Sequence, residues 1–105
     1  MTPEGKVKAR VKEIFKAAGV WYCMPVGGMY GRAGIPDFLA CANGWFIAVE
    51  TKAKGKKSTR LQSMEQRNIE KAGGRVLVIN PDNLHELEET VWNCMETSCS
   101  RATKG

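Results

Sequence analysis

The sequence predicts an α/β domain in the element order α-β-β-β-α-β-α, with a central mixed sheet flanked by helices. Three observations carry that reading. Asn43-Gly44 separates two apolar, strand-like runs, DFLACA (37–42) and WFIAVETKA (45–53), at the spacing of a two-residue hairpin. A capped helical pattern then leads to a third such run, RVLVI (75–79), and strand, helix, strand in succession makes a right-handed crossover between parallel strands. Helical-period stretches also stand at both ends of the sequence.

The first helix opens on Thr2, Pro3 and Glu4, which read as an N-cap, a proline at the first helical position and an acid near the positive end of the dipole. Val7, Val11, Ile14, Phe15 and Ala18 recur on one face, and Gly19 is placed to end the helix. Residues 20–26 (VWYCMPV) read as a short strand that Pro25 confines to an edge or terminates. The segment GGMYGRAG, Gly27 to Gly34, has the composition of a surface loop and leads directly into Ile35-Pro36-Asp37. In the hairpin, Asn-Gly supplies the two positive-φ residues of a type I′ turn. Thr59 and Gln62 have the form of a capping box, and Leu61, Met64, Ile69 and Ala72 mark a helix stopped by Gly73-Gly74. RVLVI is closed by Asn80-Pro81, and Leu84, Leu87, Val91 and Met95 mark a last helix. One domain over residues 1–96 is expected, with 97–105 a frayed tail.

The 105 residues suffice for one core. The 43% hydrophobic and 26% charged fractions exclude a chain disordered throughout. A net charge of +5 favours an anionic partner such as nucleic acid, although solubility alone would also account for it. The positive charge is concentrated: Lys52, Lys54, Lys56, Lys57 and Arg60 lie close together, whereas Glu86, Glu88 and Glu89 gather near the other end. The four cysteines, Cys23, Cys41, Cys94 and Cys99, form no CxxC pair and read as reduced thiols. Neither a signal-peptide core after Met1 nor a membrane-length apolar run is present, so the expectation is a soluble, intracellular protein with no membrane partner.

The hairpin turns a motif into a geometry. With Ala42 opposite Trp45, each step outward sets Asp37 opposite Glu50, and directly opposed residues project from one face. Two carboxylates placed so are destabilising unless something neutralises them. A divalent cation with oxygen ligands, Mg²⁺ or Mn²⁺, would do so. Lys52 lies two residues beyond Glu50 on the same face. A bound ion would polarise a phosphodiester, while Lys52 orients the attacking water or stabilises charge on the transition state. Taken as Glu-x-Lys alone, a strand-end ion pair would be the plainer reading; the registered Asp37 favours the site.

Ile35-Pro36-Asp37, then Glu50-Thr51-Lys52 after a hairpin, then a helix starting near Gln62, is similar to the PD-(D/E)xK nuclease superfamily with its restriction-endonuclease-like core. GIPDFLAC, FIAVETKA, the helix glutamine and AGGRVLVI resemble, more narrowly, the virus-type replication-repair nuclease (VRR-NUC) branch, over about residues 3 to 80. The resemblance implies that Asp37 and Glu50 are metal ligands, with the Thr51 main-chain carbonyl as a further one. Lys52 would be the catalytic lysine and Gln62 its helix partner, with Gln66 as the competing position. A glutamate of the first helix is implied as another ligand, Glu4, with Glu13 the alternative. Each has a plainer reading: Gln62 as capping-box residue, Glu4 as a favourable charge at a helix N-terminus.

Lys54, Lys56, Lys57 and Arg60 are expected to meet phosphates flanking the scissile one, and Tyr30 and Arg32 to stack on or clamp the backbone, although solvated loop charges and a plain surface loop are the alternatives. Trp21, Trp45 and Trp92 read as core or interface residues. A homodimer is expected because so small a chain wraps little DNA and two-fold dimers are the commonest assembly. Stand-alone phage-type relatives imply branched DNA such as Holliday junctions, cut in the bacterial host's cytoplasm during phage DNA replication, repair or recombination. The competing class is a non-catalytic DNA-binding module using the basic loop, and RNA as the substrate stays open.

Overall fold

A computed structural model describes residues 1–26 and 32–99. The elements are α1 (Pro3–Ala18), β1 (Trp21–Cys23), β2 (Phe38–Ala42), β3 (Trp45–Thr51), α2 (Arg60–Lys71), β4 (Arg75–Ile79) and α3 (Leu84–Glu96), in the expected α-β-β-β-α-β-α order. One four-stranded sheet runs β1-β2-β3-β4. The β1–β2 and β2–β3 pairs are antiparallel and β3–β4 is parallel, so the sheet is mixed.

The caps behave as their residues dictate. Thr2 accepts from the Gly5 N–H ahead of Pro3, and Gly19 ends α1 at φ 69°, donating back to the Lys16 and Phe15 carbonyls. Asn43 (φ 53°) and Gly44 (φ 88°) both take the left-handed conformation that a type I′ turn requires. Their turn sets the register from Ala42 opposite Trp45 out to Phe38 opposite Val49.

Strand ends differ from expectation. β1 is only Trp21–Cys23, because Val20 donates its N–H to Phe15 in the helix cap and Pro25 has no N–H to offer. β2 starts at Phe38 rather than Asp37, and β3 stops at Thr51 rather than Ala53. The ladder therefore ends one step before Asp37 and Glu50 would pair. The tail expected from residue 97 is tied down at its start: Trp45 Nε1 donates to the Thr97 carbonyl at 2.6 Å, and the Cys99 N–H to the Asn43 carbonyl at 3.2 Å.

Alternation along β2 and β3 divides the sheet's two faces. Phe38, Ala40, Ile47 and Val49 pack with Val7, Val11 and Phe15 of α1 and Leu87, Val91 and Cys94 of α3 in the core. Phe15, Tyr22 and Phe38 form an aromatic group with ring centroids 5.3–5.9 Å apart. Trp21 and Trp92, expected in a core or an interface, are 64% and 67% exposed, and Trp45 is half-buried. The opposite face, carrying Leu39, Ala48 and Glu50, meets α2. Glu65 is the buried residue of that helix, while Leu61 and Met64 are 54% and 43% exposed. No helix among the described residues is long and apolar enough to cross a membrane.

Gly34, at φ +81°, brings the segment before β2 against α2 so closely that a Cβ would lie 2.5 Å from the Leu61 carbonyl oxygen. Alanine there meets both a disfavoured φ and a backbone clash, so Gly34→Ala should cost about 1–3 kcal/mol. Thermal unfolding by circular dichroism, against Gly55→Ala at an open positive-φ position, separates the clash from the φ penalty.

Candidate active site

At the end of the sheet where β2 begins and β3 ends, four side chains named from the sequence come together. Asp37 Oδ2 accepts from the Thr51 N–H at 2.9 Å and from Thr51 Oγ1 at 2.6 Å. The carboxylate thus takes the place of a strand partner. Continuing the register would set Pro36 opposite Thr51, and a proline has no N–H to give the Thr51 carbonyl. The direct cross-strand pairing expected of Asp37 and Glu50 is not formed; the Asp37 charge still acts on Glu50, while its carboxylate locks Thr51, which the sequence did not announce.

Glu50 and Lys52 point to the α2 side and are 2% and 8% exposed. The Lys52 ammonium donates to Gln62 Oε1 at 2.7 Å and lies 3.5 Å from Glu50 Oε2. Gln62 Nε2 donates to Glu50 Oε2 at 2.8 Å, and Gln62 Oε1 also accepts from the Thr59 N–H at 2.9 Å. The capping box and the site role are therefore one side chain doing both. Its competitor Gln66 is turned away, donating to Ser58 Oγ at 3.0 Å.

Burial pushes the Glu50 carboxyl up to about 7, the nearby Asp37 charge and, more weakly, Glu4 add to the rise, and Lys52 pulls partly against them. The cost shows in one atom: Glu50 Oε1 is buried with no hydrogen-bond partner among the described residues. Asp37 Oδ1 has Lys8 Nζ at 3.8 Å. Glu50 Oε1 is thus left for something else, and Asp37 Oδ1 has only this long contact with Lys8. Small hard cations take one or two protein carboxylates and fill the remaining positions with water and phosphate, so the residues fit Mg²⁺ or Mn²⁺.

The helix glutamate stands further off. Glu4 is on the site's side of α1 and bonds Lys8 at 3.5 Å, so Lys8 bridges it to Asp37. Glu13, paired with Arg10 at 3.9 Å, lies along the α1–α3 groove away from the site. Among the described residues no three His, Cys, Asp or Glu side chains are grouped tightly enough to hold an ion. Lys8 went unnoticed in the sequence, where its spacing four residues after Glu4 was the available signal.

Of the residues expected to meet nucleic acid, Lys54, Lys56 and Lys57 are exposed on the connection from β3 to α2, and Arg60 is exposed as the first residue of α2. Lys54 lies 3.9 Å from Asp82. Arg32 is paired with Glu65 of α2, a partner not foreseen. Tyr30 lies outside the described residues.

The fold is that of the PD-(D/E)xK nuclease class. No protein-family model matches the chain. It is 36% identical over 81 residues to "Putative nuclease p44" of Acyrthosiphon pisum secondary endosymbiont phage 1, covering 76% of this chain and 84% of that protein. Among solved structures it is similar to a VRR_NUC domain, with a TM-score of 0.70 and 28% identity over 91% of this chain and 97% of that one. The chain belongs to the VRR-NUC nuclease family.

Proposed function

We propose that the protein is a Mg²⁺- or Mn²⁺-dependent endodeoxyribonuclease that hydrolyses phosphodiester bonds. Its substrate in this reading is branched DNA such as Holliday junctions, met during phage DNA replication, repair or recombination in the host cytoplasm, and it works as a homodimer. The observation that carries the reading is the unpartnered, buried Glu50 Oε1 beside Asp37, Lys52 and Gln62. A buried carboxylate oxygen without a donor is costly, and a cation removes the cost.

Asp37 Oδ1 and Glu50 Oε1 would hold the ion, with the Thr51 carbonyl as a further oxygen and Glu4 joining by a change of rotamer. When bound, the ion supplies Lewis acidity to the phosphoryl oxygens and acidifies a water. The rest falls to the chain's own groups. Gln62 Oε1 fixes the Lys52 ammonium, which has three donors and can turn one to the attacking water or to charge developing on the phosphoryl oxygens. Thr51 holds Asp37 in one orientation, so the ligand set is preorganised. Lys54, Lys56, Lys57 and Arg60 contact flanking phosphates, which makes binding fall with salt.

The test is incubation of purified protein with a labelled four-way junction and a linear duplex, with Mn²⁺ and with chelator. Cleavage of the junction in Mn²⁺ alone is expected. Binding without cleavage in any metal would instead favour a DNA-binding module.

A further inference from the structure

Glu65 is a buried charge that the reaction does not use. It is 8% exposed, on the face of α2 turned to the sheet, one turn beyond Gln62. A carboxylate in that position needs partners. Asn68 Nδ2 supplies one at 3.2 Å. The other comes from outside the helix: Arg32 Nε and Nη2 fork onto its two oxygens, Nη2 at 3.2 Å. The pairing holds the Glu65 carboxyl below the usual carboxylate range, chiefly through Arg32, and raises the guanidinium in turn.

Arg32 is otherwise turned outward, its side chain 65% exposed. A guanidinium has five N–H donors and this fork uses two; among the described residues no other group takes the remaining three. Arg32 also lines a cleft of about 290 Å³ together with Gly34, Asp37, Thr59 and Gln62, so it opens onto the space that the catalytic carboxylate and the helix glutamine share. Arginine matches phosphate oxygens with paired donors, and one already held by a carboxylate loses less freedom on binding than a free one.

We propose that Glu65 is a positioning residue that presents Arg32 to a DNA phosphate beside the scissile one. The inference rests on the nuclease reading above. Kinetics on a labelled junction at saturating Mn²⁺ test it with Arg32→Ala, Glu65→Ala and the double variant, KM and kcat being read separately. Arg32→Ala should raise KM roughly 10–100-fold, the scale of a lost charge-assisted pair, with kcat little changed. Glu65→Ala should raise KM by about five- to tenfold, and should add less than about twofold in the Arg32→Ala background, because its effect runs through Arg32. An unchanged KM in Glu65→Ala, or the same rise in both backgrounds, overturns the proposal. Glu65→Gln, which keeps the shape and one acceptor, should fall between wild type and Glu65→Ala; a KM as high as that of Glu65→Ala together with a lost Mn²⁺-induced rise in Tm would mark a structural role and also overturn it. A wild-type protein that cuts no DNA would sink the nuclease reading itself, a result distinct from either.

Discussion

Asp37→Asn is expected to slow cleavage about a thousandfold or more while the protein stays folded. The substitution keeps an acceptor for the Thr51 N–H and hydroxyl, which Asp37 Oδ2 now serves at 2.9 and 2.6 Å, so the local lock has a substitute. What it removes is one of the carboxylate charges that would face a bound cation. Lewis-acid stabilisation of a phosphoryl transition state is worth several kcal/mol, and each 1.36 kcal/mol is a factor of about ten in rate. Single-turnover cleavage at saturating Mn²⁺, with circular dichroism as the control for folding, checks both halves. A variant that is unfolded would show that the lock on Thr51, rather than the charge, was the residue's larger contribution.

Glu50→Gln should be inactive and yet more stable than wild type in the absence of metal. In the folded protein the Glu50 carboxyl titrates near 7, above its unfolded value of 4.5, so the folded state holds the proton more tightly. The metal-free fold therefore loses stability as pH rises from about 4.5 to about 7, and loses no more above that. Glutamine does not ionise and escapes the loss. The gap in Tm between Glu50→Gln and wild type should open across that window and level off by pH 8, at about 4–8 °C for each kcal/mol recovered. Saturating Mn²⁺ should close that gap by stabilising wild type alone, with a rise of roughly 10–20 °C at a hundredfold excess over Kd. Differential scanning calorimetry of both proteins at pH 5 and pH 8, with and without Mn²⁺, reads all eight values. Equal Tm values for the two proteins at pH 8 without metal would remove the claim that the orphaned Glu50 oxygen strains the fold.

Local chemistry made much of this legible. Asn43-Gly44 determines its own turn type, and the turn then determines which β2 residue faces which β3 residue. Thr59 and Gln62 cap α2 by a rule that operates within four residues. Both features carry the site, because the first brings Asp37 to Glu50 and the second delivers Gln62 to Lys52. Features built across distance were hidden. The Arg32–Glu65 pair joins residues 33 apart, and nothing in either neighbourhood announces the other. The apolar residues that mark α2 do not show which face it turns inward: Leu61 and Met64 are exposed, whereas the inward side holds Gln62 and Glu65, because it covers the site rather than the core. Thr97–Cys99 reads as tail by composition and is tied to the hairpin by hydrogen bonds from and to distant residues.

Calorimetric titration of Mn²⁺ into wild type, Asp37→Asn and Lys52→Met bears most directly on the central claim, that Asp37 and Glu50 leave oxygens for a divalent ion which Lys52 serves without holding. Saturable uptake by wild type and by Lys52→Met, with uptake lost in Asp37→Asn, is the expected outcome. Wild type that takes up no Mn²⁺, or Asp37→Asn that binds it as wild type does, would contradict the claim.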